Sequence, residues 1–86
     1  MNEEALESNS QALSVLRELH DREGEGVTLS NIAKIYSSLD SPLKAIDFYN
    51  QAQVIFKEVG DKRDDASTLN HIGNVYLRHM PVTQLI

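Results

Sequence analysis

Leu29-Ser30-Asn31-Ile32-Ala33-Lys34-Ile35-Tyr36 and Leu69-Asn70-His71-Ile72-Gly73-Asn74-Val75-Tyr76 write one pattern twice, 40 positions apart. The same shift aligns nine identities along the chain: Ala5/Ala45, Gln11/Gln51, Ala12/Ala52, Glu18/Glu58, Asp21/Asp61, Thr28/Thr68, Leu29/Leu69, Ile32/Ile72 and Tyr36/Tyr76. Other pairs keep their chemistry, among them Leu6/Ile46, Val15/Ile55, Leu16/Phe56, Arg17/Lys57, Leu19/Val59, Arg22/Lys62 and Ile35/Val75. Self-similarity at a period of roughly 20–50 residues marks a solenoid, in which each unit buries its apolar face against the next. The expected fold is therefore all-α: an α-solenoid of antiparallel helix hairpins, four helices in one domain.

Composition narrows the functional classes. The chain has 86 residues, 41% of them hydrophobic, which is ordinary for a globular domain. The net charge of −5 argues against general nucleic-acid binding, which requires a basic stripe. The chain has no cysteine, which removes disulfides, thiolate metal sites and a cysteine nucleophile, and fits a reducing, cytoplasmic setting. The opening MNEEALES lacks the apolar core of a secretory signal. No apolar run approaches the ~18 residues of a membrane span, so no membrane partner is expected.

Spacing places the helices at about 3–19, 24–39, 42–59 and 62–80, followed by an apolar tail, 81–86. Ala5, Ala12, Leu16 and Leu19 share one face of the first. Leu29, Ile32, Ala33, Tyr36 and Leu39 form the core face of the second. Ala45, Ile46, Tyr49, Ala52, Phe56 and Val59 form that of the third. Leu69, Ile72, Gly73, Tyr76 and Met80 form that of the fourth, which Pro81 ends. Ser41 is suited to cap the third helix, with Pro42 in its first turn, and Gly60 to end it. Asp61 is suited to cap the fourth helix. Gly73, matched by the small Ala33, points to close approach by a neighbouring helix. The ring of Tyr76, if in the core, makes Tyr76→Ala cost about 3–5 kcal/mol.

The two quoted runs resemble the first helix of a tetratricopeptide repeat. Lys44-Ala45-Ile46-Asp47-Phe48-Tyr49-Asn50-Gln51-Ala52 resembles the second helix of that family. The usual period is about 34 residues. The longer period here is similar to the variant in kinesin light chains, cell-polarity adaptors and bacterial signalling arrays. The likeness spans Ala5 to Tyr76. It departs from the family at Asp40 and His20, which stand where glycine is usual, at Pro42, and at Asn9, the counterpart of Tyr49. The first unit is the weaker copy.

The resemblance implies a protein–protein interaction scaffold, without catalysis, whose first-type helices line a concave surface for a peptide or protein segment. The positions facing that surface, by match to the family pattern, are Ser30, Lys34, Ser37 and Ser38, then Asn70, Asn74, Leu77 and Arg78. Asn31 and His71 lie beside them. Asparagine bonds a peptide backbone in both directions, and Lys34 and Arg78 suit a carboxylate. A chain that starts on a second-type helix and stops on a first-type helix leaves both end helices short of a neighbour. It is then either a piece of a longer array or a module that pairs with its own copy as a dimer, the latter being the reading adopted for the isolated chain.

No catalytic, metal or cofactor site is expected. His20, His71 and His79 are not spaced to share a helix face. The acidic pairs Glu3-Glu4 and Asp64-Asp65 sit at helix starts, where they favour the macrodipole. Gly24-Glu25-Gly26 lacks the further glycines of a phosphate loop.

Overall fold

A computed structural model describes residues 2–79. It contains α1 (Asn2–Glu18), α2 (Arg22–Ser38), α3 (Pro42–Val59) and α4 (Lys62–His79). The expected tail 81–86 and Met80 lie outside the described residues. Each helix packs on its chain neighbour, and the α2–α3 pairing is the most extensive. Tyr36, near the end of α2, stacks on Phe48, near the start of α3, at 5.5 Å. Gly26, at the start of α2, meets Phe56, near the end of α3. The two helices are therefore antiparallel.

The turns repeat as the sequence does. Asp21, Ser41 and Asp61 each donate their N–H to a carbonyl five residues back, at Leu16, Tyr36 and Phe56, over 2.9, 2.9 and 2.8 Å. This is the bond pattern of a Schellman ending, which needs a left-handed residue before it. His20, Asp40 and Gly60 supply it with φ of 56°, 57° and 75°. Asp21 and Asp61 then cap α2 and α4, accepting from the N–H of Gly24 (2.9 Å) and Asp64 (3.0 Å). The Asp21 cap starts α2 at Arg22, two residues before the sequence-based estimate. Ser41 precedes α3 without making a side-chain capping bond; Pro42 sits in its first turn as expected.

The core is continuous along the middle pair. Leu13, Leu29, Ile32, Ala52, Ile55 and Phe56 form one cluster, and Ala33, Ala45, Tyr49 and Val75 form the next. Tyr36 and Phe48 join the two, with the Lys44 ammonium 5.3 Å from the centre of the Tyr36 ring. Gly26 is packed for closeness: a β-carbon there would lie 2.8 Å from the Phe56 ring.

A salt-bridged carboxylate ties three helices. Glu25 is buried on α2 and receives Arg17 of α1 (3.2 Å) and Arg22 (3.1 Å). Arg22 also pairs with Glu58 of α3. A buried carboxylate left unpaired is costly, so these arginines fix how the helices meet. The counterpart of Glu25 in the next unit is Asp65, one methylene shorter. One of its oxygens is buried and makes no hydrogen bond.

Several expected core positions are open. In α1 the inward stripe is Leu6, Leu13 and Leu16, while Ala12 and Leu19 are exposed. The apolar residues of α1 fall on two stripes, and only the one carrying Leu13 faces α2. Leu39 and Val59 stand at helix ends and are exposed. In α4, Leu69 and Tyr76 are exposed, and among the described residues nothing lies within 4 Å of the β-carbon position of Gly73. Close packing at Gly73 is thus not made within the chain: no described helix lies against that side of α4. Tyr49 is 2% exposed, Tyr76 45%.

Two outcomes follow from this packing. Tyr49→Ala should cost about 3–5 kcal/mol in urea unfolding and Tyr76→Ala only about 1–2; equal losses would place Tyr76 in the core after all. His20→Gly relieves a left-handed side chain worth about 1 kcal/mol, so Tm should rise by about 4–8 °C. A fall in Tm would show that the imidazole makes a compensating contact.

Candidate partner-binding groove

The channel between α2 and α4 is floored by α3. Its walls rise because first-type helices stand on either side of Phe56 and Tyr49, both buried. Toward the starts of α2 and α4 it is lined by Ser30, Asn31 and Lys34 on one side and Asp64, Ser67 and His71 on the other. Toward their ends Lys34, Ser37 and Ser38 face His71, Asn74 and Arg78 around a cavity of about 260 Å³. His71 sits at the middle, stacked on Tyr49 with ring centroids 5.5 Å apart. Burial pushes the Tyr49 hydroxyl pKa up, which keeps it neutral.

Eight of the ten positions read from the sequence line this channel. Ser37 does so as a buried residue, whereas Lys34, Ser38 and Arg78 are exposed. Asn70 and Leu77 are exposed but lie off the channel. Their counterparts in α2, Ser30 and Ser37, are on the side that faces α4. On α4 the same side points away from α2. The channel also includes residues the pattern did not flag: Val27, Asp64, Ser67 and Thr68. Asp64, Ser67 and His71 continue at helical spacing into Asn74 and Arg78, so the stripe extends nearly two turns further than the family match implied.

Charge is segregated along the channel. Lys34 stands at its middle, lining both halves, and Arg78 lies in the second half. Asp64, which lines the first half, has a carboxylate oxygen within 4.8 Å of those of Glu23 and Asp61, which stand at the starts of α2 and α4. The Glu23 pKa is raised, first because its carboxyl hydrogen-bonds to Asp61. The Asp61 pKa is lowered, first by the Asp64 N–H that it caps. Desolvation is the main cause that raises the Asp64 pKa.

Glu23 thus holds its proton more tightly in the folded state than in the unfolded chain. Its contribution favours folding below the unfolded pKa and is lost as pH rises through the folded one. Glu23→Gln should therefore raise Tm at neutral pH, and the gain should vanish below about pH 4, where Glu23 is protonated in both states. An unchanged Tm at neutral pH would mean the Glu23 carboxylate is not held against Asp61.

No described helix is long and apolar enough to cross a membrane. A family model described as tetratricopeptide repeat matches residues 1–58, more than half of the chain. Comparison with curated proteins and with solved structures gives no match. The match covers α1, α2 and almost all of α3, and α4 repeats α2 at the same spacing. With four antiparallel helices in repeating register, the chain belongs to the tetratricopeptide repeat family.

Proposed function

We propose that this domain is a protein-interaction module that holds a segment of a partner protein in the channel between α2 and α4. The observation that carries the reading is the polar channel with Asp64 toward one end, Lys34 at the middle and Arg78 toward the other. The family mediates protein–protein contacts and is generally non-catalytic, which supports a binding role over an enzymatic one. From Asp64 to Arg78 the α4 wall runs about 21 Å, at 1.5 Å per residue. That length suits about six residues of extended peptide. Asn31 and Asn74 supply backbone partners, and the charged ends fix direction. The rigid floor lowers the ordering cost of binding. The lack of cysteine supports a cytoplasmic setting. The open sides of α1 and α4 favour a second reading, association of the chain with its own copies.

An extended-peptide array read by fluorescence and then calorimetry tests the channel. Bound peptides should carry a basic residue toward one end and an acidic residue toward the other. Lys34→Glu with Arg78→Glu should weaken them by about 1.5–3 kcal/mol, the range for hydrogen bonds to charged groups. Asn70→Ala, off the channel, should leave affinity unchanged. Peptide binding that survives the double charge reversal, or that depends on Asn70, would move the site elsewhere.

A further inference from the structure

Helix α2 is covered by α1 and α3, and α3 by α2 and α4. Among the described residues, α1 and α4 each have one such neighbour. The sides they leave open are register copies of the two sides that pack together inside the chain. Leu69, Gly73 and Tyr76 of α4 are the counterparts of Leu29, Ala33 and Tyr36, which pack on α3. Leu29 is 1% exposed and Leu69 52%. Ala12 and Val15 of α1 are the counterparts of Ala52 and Ile55, which pack on α2. Ile55 is 4% exposed and Val15 53%.

We propose that a second copy of this chain covers α4 with its α1, rebuilding the α2–α3 packing between molecules. Three features fit this occupant. The first is volume. Inside the chain Gly26 lacks a β-carbon because the Phe56 ring lies 2.8 Å from where it would be. Their counterparts are Ala66 on α4 and Leu16 on α1, so a methyl is gained where a ring is lost; Leu16 meets α2 at Gly24 from the edge of the inward stripe, as Phe56 lies between α2 and α4. The second is charge. Antiparallel docking brings the acidic first turn of α1, with Glu3, to the basic last turn of α4, with Arg78 and His79. The third is the off-channel pair Asn70 and Leu77. In the assembly the next copy's α2 stands beside α4 as α4 stands beside α2 here. Asn70 and Leu77 then line a second channel, built from two molecules; this consequence rests on the channel reading above.

The contact is heterologous, since each copy offers one α4 side and one α1 side. Growth is head to tail, and the product is a continued solenoid.

Sedimentation and light scattering on three chains and one mixture test the proposal. The wild-type chain should grow beyond a dimer as concentration rises. Leu69→Glu closes the α4 side and Val15→Glu the α1 side. Each should be monomeric alone, its dissociation constant raised more than about tenfold. An equimolar mixture of the two should form a complex that stops at one of each, because each retains the side the other lacks. Circular dichroism checks that both remain helical, and Ala66→Arg with Ala12→Glu serves as a second pair if either does not. A wild-type chain that stays monomeric at millimolar concentration overturns the proposal. So does a variant that assembles alone as the wild type does, or a mixture that stays monomeric. Removal of residues 81–86 that releases assembly in an otherwise monomeric chain assigns the α4 side to the chain's own tail instead. Peptide capture by a chain that never assembles sinks only this proposal, and assembly without peptide capture sinks only the channel reading.

Discussion

The close approach of α2 to the Phe56 ring is the constraint on which the rest depends. Gly26 gives up its β-carbon so that the ring can lie against the α2 backbone. The ring then fills the space under both first-type helices and becomes part of the channel floor. Ala33, Ala45 and Ala52, all fully buried, let the helices meet over the rest of their length. Small residues on one helix facing large ones on the other give interlocked packing with few voids, and rigidity is what a preformed binding channel requires.

Sequence identity does not make the two units physically equal. Leu29 and Leu69 occupy one place in the repeat, yet one is buried and the other half exposed. The hydrophobic effect acts on area removed from water, so a residue contributes to stability only through the neighbour that covers it. The middle pair, α2 and α3, has neighbours on both sides and carries most of the buried side chains. The outer helices are stabilised on one side only. The Arg17–Glu25–Arg22–Glu58 network strengthens the first joint, and its shortened counterpart at Asp65 leaves the second joint without that tie.

The channel and the carboxylate cluster share the starts of α2 and α4. The Asp61 pKa is lowered, first by the helix N–H that it caps, and the Glu23 pKa is raised, first by its hydrogen bond to Asp61. Arg78 lines only the other half of the channel, away from Asp64, whereas Lys34 lines both halves. The charge gradient along the channel rests on this asymmetry.

The sequence by itself determined the repeat, the four helices, the turn at Gly60 and the stripe from Ser30 to Ser38 that became one channel wall. Periodicity and turn chemistry are local, and a single helix encodes them. The Asp21 cap was legible too, through its identity with Asp61, but the polar run around it masked the signal. Only the tertiary structure decided that Leu13 rather than Ala12 faces inward, that Gly26 is a contact and Gly73 is not, and that Asn70 and Leu77 look away from the channel. Each of those depends on which side of a helix has a neighbour. A residue's spacing fixes the side it occupies, and the packing of other helices fixes whether that side meets protein or water.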